Sequence, residues 1–194
     1  MGKTKYLKEI EQLFAKSPVV QASSISRLLK SKKKVKQYDR HVLRNLVKKG
    51  KIHRLMKGYY TSHNDPSLAV FCFQPAYLGG EDALSRHNLW EQETIPVIFT
   101  TRHVRRGLRK VMGTNVLLRM IPRELFFGVE YHTIGEMILP YSDKEKTVLD
   151  RLYFRKNIDK VEVKGWLKHL DQQRLKKYVE CYPQKFQERI KFLL

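Results

Sequence analysis

The stretch YDRHVLRNLVKKGKIHRLMKGYYTS, residues 38–62, decides how the first third of the chain is read. At about 100° per residue, Tyr38, Val42, Leu43 and Leu46 fall on one side of a helix, and Gln37, Arg40, His41, Arg44 and Lys48 on the other. That rhythm stops at Gly50, a residue that tolerates the left-handed backbone at a helix end. KIHRLM (51–56) then alternates Ile52, Arg54 and Met56 against His53 and Leu55; Lys57-Gly58 supplies a turn, and YYTS (59–62) returns as the partner strand. The spacing predicts a helix from about Gln37 to Lys49, followed by a β-hairpin.

Upstream, Leu7, Ile10, Leu13 and Phe14 recur at three and four, which predicts a helix ending near Ser17-Pro18. PVV (18–20) suits a one-rung strand, and Ser23 or Ser24 is placed to cap a short second helix that turns Ile25, Leu28 and Leu29 inward. KSKKKVKQ (30–37) is a polar connector. Helix, helix, helix, hairpin is the order of a winged helix-turn-helix.

Charge supports that order. Residues 1–62 hold 17 Lys and Arg against Glu9, Glu11 and Asp39, net +14, whereas the other 132 residues hold 22 against 16, net +6. A positive excess concentrated in one third of a chain is the footprint of a module that binds a polyanion. A helix with one packed face and one donor-rich face fits the DNA major groove, about 12 Å wide, while a basic hairpin lies along neighbouring phosphates. Arg40 and Arg44, one turn apart, suit bidentate contacts to guanine, and Lys48 and Lys57 suit phosphates as point charges. The candidate DNA-binding set is Ser24, Lys36, Gln37, Arg40, His41, Arg44, Lys48, His53, Arg54 and Lys57. The alternative for so basic a protein is an RNA-binding or ribosome-associated role, although no RNP-like or GXXG signature accompanies Tyr59 and Tyr60.

Composition bounds the rest. With 42% hydrophobic and 11% aromatic residues the chain folds despite its charge. MGKTKYLKEIEQ (1–12) lacks an apolar signal core, no window reaches the roughly 18 apolar residues of a membrane span, and Tyr6 stands at the Ser/Thr position of a myristoylation motif. The expectation is a cytoplasmic protein with no membrane partner. Cys72 and Cys181 lie far apart without a CxxC neighbour, so both read as ordinary buried or half-buried thiols.

SHNDP (62–66) marks a boundary, with Asp65 as a cap and Pro66 opening the next helix. The organisation is therefore a winged helix over 1–62 and a mixed α/β domain over 66–194, an α+β chain. Within the second domain the text predicts a helix over 66–74 and a strand near AYLG (76–79). A helix follows from Glu81 to about His87, then strands at PVIFTT, NVLLRMI and EMILPY. Ser142 to Glu145 matches a capping box opening a helix with Val148, Leu149, Leu152 and Tyr153 inward, and two further helices close the chain. The run TRHVRRGLRK (101–110) reads as a solvated loop or helix face able to extend phosphate contacts or to receive an acidic partner.

LVKKGKIHRLMKGYYTS (46–62), AYLGGEDALSRHNLWEQETIPVIFTT (76–101) and SDKEKTVLDRLYF (142–154) follow one another at the spacing of the AbiEi family, and the chain resembles these abortive-infection type IV antitoxins over about residues 6–194. The matching positions are Tyr77, Gly79, Gly80, Ala83, Leu84, His87, Leu89, Gln92, Thr100, Thr101, Glu145, Lys146, Asp150, Leu152 and Tyr153. Their order and spacing carry the likeness, since most are small or apolar. The resemblance implies a transcriptional regulator that binds inverted repeats upstream of its own operon, with room for a dimer on DNA, and a second domain that counters a nucleotidyltransferase toxin.

No catalytic constellation emerges. Asp143, Glu145 and Asp150 lack a preceding acidic partner, and lysines flank Glu145. Seven histidines are scattered with no H-x₃-H pair, Ser85 lacks the flanking glycines of a nucleophile elbow, and Gly79-Gly80 is too short for a phosphate loop. The expectation is a non-enzyme with no metal and no cofactor.

Overall fold

The computed structural model describes residues 6–30, 38–155 and 160–191. It is a mixed α and β protein of two compact units: residues 1–72 with 110–114, and residues 73–109 with 115–194.

In the first unit, helix α1 (Leu7–Lys16) is followed by a short strand β1 (Val20–Gln21), helices α2 (Ala22–Lys30) and α3 (Tyr38–Lys48), and the hairpin β2 (His53–Met56) and β3 (Tyr59–Thr61). β3 is the central strand, antiparallel to both β1 and β2. The core is the set the helical spacing picks out: Ile10 and Phe14 of α1, Ile25 and Leu29 of α2, and Val42, Leu43 and Leu46 of α3, joined by Val20 and Ile52. Each buried aliphatic of this kind stabilises by about 1.5–3 kcal/mol relative to exposure. Leu28 is only partly buried against this core. The chain leaves α3 through Gly50, at φ 66°, and turns the hairpin at Gly58, at φ 84°, both in the left-handed region. The Gly58 carbonyl accepts the Ala22 N–H at 2.8 Å, which ties the hairpin tip to the start of α2.

Three expectations change here. α2 begins at Ala22, directly after β1, so Ser23 and Ser24 sit inside its first turn and do not cap it. Strict alternation fails in β2: a bulge between Arg54 and Met56 breaks the register, and Leu55 is buried three residues after buried Ile52. Pro66–Cys72 is a 3₁₀ turn with Leu68, Ala69, Val70 and Cys72 all buried, in place of the α-helix expected over 66–74. Asp65 does act as its cap, accepting the Ser67 N–H at 2.8 Å. Cys72 is buried, and burial pushes its thiol up to about 12; Cys181, by contrast, is exposed.

A six-stranded sheet, all of it in the second unit except the ends of β6 and β7 within residues 110–114, runs in the order β6-β7-β5-β4-β9-β8. Its strands are β4 (Ala76–Leu78), β5 (Val97–Thr100), β6 (Gly107–Val111), β7 (Thr114–Met120), β8 (Val129–Ile134) and β9 (Met137–Ser142). β4 is antiparallel to β5 and parallel to β9, and β5 is parallel to β7. β6 and β8, absent from the sequence reading, form the two edges. Part of the basic run 101–110 is therefore strand, since β6 begins at Gly107. Helices α4 (Gly80–Arg86) and α5 (Lys144–Phe154) carry residues into the main core of this unit, with Leu84, Val148, Leu149 and Leu152 buried.

The closing segment has three helices, α6 (Lys160–Leu167), α7 (Gln172–Glu180) and α8 (Gln184–Ile190), where two were expected. Asp171 interrupts the rhythm: its carboxylate accepts the N–H groups of Gln173 and Arg174, capping a new helix. A similar displacement occurs at α5. Asp143 is its cap, accepting the Lys146 N–H at 2.8 Å, while the Ser142 hydroxyl bonds Thr147 Oγ1 at 2.7 Å. Glu145 does not close a capping box; it accepts the Asp171 N–H at 2.8 Å and joins α5 to α7.

Candidate nucleic-acid interface

The packed face of α3 fixes where its other face points. With Val42, Leu43 and Leu46 buried, Arg40, His41, Arg44 and Lys48 are exposed. The hairpin adds Arg54 and Lys57, both exposed. Arg40, Arg44, Arg54 and Lys57 line one groove of about 700 Å³, with Tyr60 of β3 and Ser23 and Ser26 of α2 on its walls. Four cationic side chains from two elements thus face a single concave surface.

One acid shares the groove. Asp39 accepts a short hydrogen bond from the Ser26 hydroxyl and a 2.9 Å bond from the Arg40 N–H. The Ser26 bond, followed by those contacts to Arg40, holds the Asp39 carboxyl below its ordinary value. The carboxylate is thereby engaged by α2 and by its own backbone, and it links the two helices that frame the groove.

The other predicted residues divide. His41 and Lys48 are exposed on α3 but do not line the groove. His53 pairs with Thr61 in the sheet and is half-buried. The Ser24 hydroxyl accepts from the Arg27 guanidinium at 3.3 Å within α2, outside the groove lining. Lys36 and Gln37 lie outside the described residues. Sequence reasoning missed Ser23, Ser26 and Tyr60; the signal available was the three-residue spacing of Ser23 and Ser26 beside the inward Ile25.

The second unit holds charge of a different kind. Lys146 of α5 is fully buried, ringed by Phe127, Tyr182 and Tyr77 with its ammonium 4.9, 5.2 and 5.6 Å from their ring centroids. It donates to Asp150 through a short contact and to the Tyr182 hydroxyl at 2.9 Å. Tyr182 in turn donates to Asp150 Oδ1 at 2.8 Å, and Tyr77 donates to Asp150 Oδ2 at 2.6 Å. Burial pushes the Lys146 ammonium below its ordinary value, opposed by the charge and hydrogen bond of Asp150; burial also pushes Tyr77 and Tyr182 well above theirs. Asp143 beside them accepts from Tyr178 at 2.8 Å, and burial raises its carboxyl.

The backbone is shaped to this box. At Gly128, φ 61°, a Cβ would lie 2.9 Å from Lys146 Cβ and 3.1 Å from Asp143 Oδ2, so only glycine fits. All these polar groups satisfy one another behind aromatic walls, an arrangement that locks α5 to β4 and to the chain around α7. Lys146, Asp150 and Tyr77 within it are fully buried.

Among the described residues, His87, Glu130 and His132 bring three metal-ligating atoms within 4.8 Å of one another. His132 Nε2 lies 2.6 Å from Glu130 Oε1, and His87 Nε2 lies 2.8 Å from the Ser142 carbonyl oxygen, joining α4 to β9. Among the described residues no helix is long and apolar enough to cross a membrane. No family model matches the chain and no curated protein matches it, so the AbiEi resemblance rests on the quoted motifs themselves.

Proposed function

We propose that this protein is a sequence-specific, non-enzymatic DNA-binding regulator of transcription whose first unit is a winged helix-turn-helix. The reading rests above all on the groove in which Arg40 and Arg44 of α3 meet Arg54 and Lys57 of the hairpin. α3 enters the major groove with Arg40 and Arg44 toward base edges, and the hairpin lies along the backbone with Lys57 on phosphate. The order helix, strand, helix, helix, hairpin and the net +14 of residues 1–62 support the same reading. The resemblance to the AbiEi antitoxins supports an operator upstream of the protein's own gene, and a second unit that counters a nucleotidyltransferase toxin in the cytoplasm.

Competition tests the choice of nucleic acid. A labelled duplex from upstream of the gene is displaced by the same unlabelled duplex at lower concentration than by a structured RNA of equal length. Displacement by the RNA at equal or lower concentration would move the assignment to RNA.

A further inference from the structure

The second unit carries a cavity whose lining shares no residue with the groove of α3 and the hairpin. It measures about 720 Å³, and its walls include Arg102, His103, Arg106 and Arg123, with Met120 and Ile121 among the apolar residues beneath them. Its volume lies in the range of small-molecule sites, roughly 300–1,000 Å³.

Its position follows from the sheet. β5 and β7 run parallel, with Thr100 opposite Met120, and the cavity opens just beyond those carboxyl ends, where Thr101 and Ile121 succeed them. In open α/β sheets ligands settle outside the carboxyl ends of parallel strands, and this cavity has that position relative to β5 and β7. The rim is held in advance of any ligand. Fully buried Thr100 has its hydroxyl 2.7 and 3.0 Å from the carbonyl oxygens of Phe73 and Pro75, and it accepts the Arg102 N–H at 3.0 Å. The Ile121 N–H donates to the Thr100 carbonyl at 3.0 Å, which joins the two strand ends.

Among the described residues the lining includes Arg102, Arg106 and Arg123 and no carboxylate. Guanidinium groups facing one concave surface repel each other, and an anion of matching geometry relieves that repulsion while using their paired donors. A nucleic-acid backbone needs a long track; a half-open cleft of this volume, with exposed arginines above half-buried Met120 and buried Ile121, suits a compact ligand that is anionic at one end and flat and apolar at the other. We propose that this cavity binds a nucleotide, its phosphates on Arg106 and Arg123 and its base against Met120 and Ile121. The site is independent of the DNA-binding reading.

Calorimetric titration of the full-length protein with ATP and with inorganic pyrophosphate at physiological salt tests it. ATP binds more tightly than pyrophosphate, and Arg106→Ala and Arg123→Ala each weaken ATP binding by roughly 10-fold or more, as expected for a lost charge-assisted hydrogen bond. Arg123→Lys keeps the charge but not the fork and falls between. Lys168→Ala/Lys176→Ala removes two exposed charges elsewhere on the same unit and leaves ATP affinity unchanged. Absence of ATP binding, equal loss in the lysine pair, or pyrophosphate binding as tight as ATP would overturn the assignment.

Discussion

The two units place positive charge in opposite settings. On the first, Arg40, Arg44, Arg54 and Lys57 stand exposed around a groove; in the second, Lys146 is sealed in an aromatic box with Asp150 as its counter-charge. The same element of composition therefore does two jobs. An exposed cation is well solvated and contributes little to stability, so its purpose is sought in what it binds. A buried cation has lost its water, and its purpose is sought in what it holds together.

Removing a charge from each setting tests the contrast, and the largest effect belongs to the box. Lys146→Met leaves Asp150 buried without its cation and lowers the unfolding free energy by about 3–5 kcal/mol in a urea titration. Adding Asp150→Leu recovers part of that loss, because the orphaned carboxylate is gone. A single-variant loss below about 1 kcal/mol would mean that the box is not closed to water.

Substitutions in the groove act on binding and leave stability nearly unchanged. Arg40→Ala and Arg44→Ala each cost about 1–3 kcal/mol in binding to the upstream duplex and lose discrimination against a scrambled one; Lys57→Ala weakens both duplexes alike and reduces the salt slope by about 1. All three unfold within about 0.5 kcal/mol of the parent. Equal losses on both duplexes for all three would remove the base-reading role from α3.

That division of roles was legible in the sequence only on the exposed side. α3 announces itself because its inward residues recur every three or four positions and Gly50 stops them. Lys146 carries no such sign: the spacing of Val148, Leu149 and Leu152 marks one inward face, but every residue from Glu145 to Leu152 is buried, and a lysine off that face reads as a surface residue. The missed strands have the converse reason. β6 and β8 are sheet edges, where Leu108 and Tyr131 face solvent at 62% and 72% exposure, and the apolar alternation that marks a strand is lost.

Other failures were local. The bulge at Leu55 is a backbone event that shifts every later side chain by one position, which no alternation rule foresees. Asp171 looked like one polar residue within a continuous helical rhythm, and only its bonds to two N–H groups identify it as a cap. The groove was half legible. Its arginines followed from periodicity, but Ser26 and Asp39 meet across 13 residues of chain, a pairing that only the packing of α2 on α3 produces.

The smallest expected effect lies at that pairing. The folded-state pKa of Asp39 is lowered, so it contributes stability above its unfolded value, near 3.9, which is lost as pH falls through the folded value. Ser26→Ala removes the principal cause. The variant therefore loses less stability than the parent between pH 7 and pH 3, by on the order of 0.5 kcal/mol at this solvent-screened position. An identical loss in the two proteins would show that the hydroxyl does not set the Asp39 titration.

The most direct test of the central claim is the affinity of the full-length protein for the upstream duplex and a scrambled duplex at 50 and 200 mM salt. With 6–10 phosphates neutralised, affinity for both falls by about 10³–10⁵ between those concentrations, while the preference for the upstream duplex survives at the higher salt. A flat salt response, or equal binding to the two duplexes at both concentrations, would contradict a groove built to read an operator.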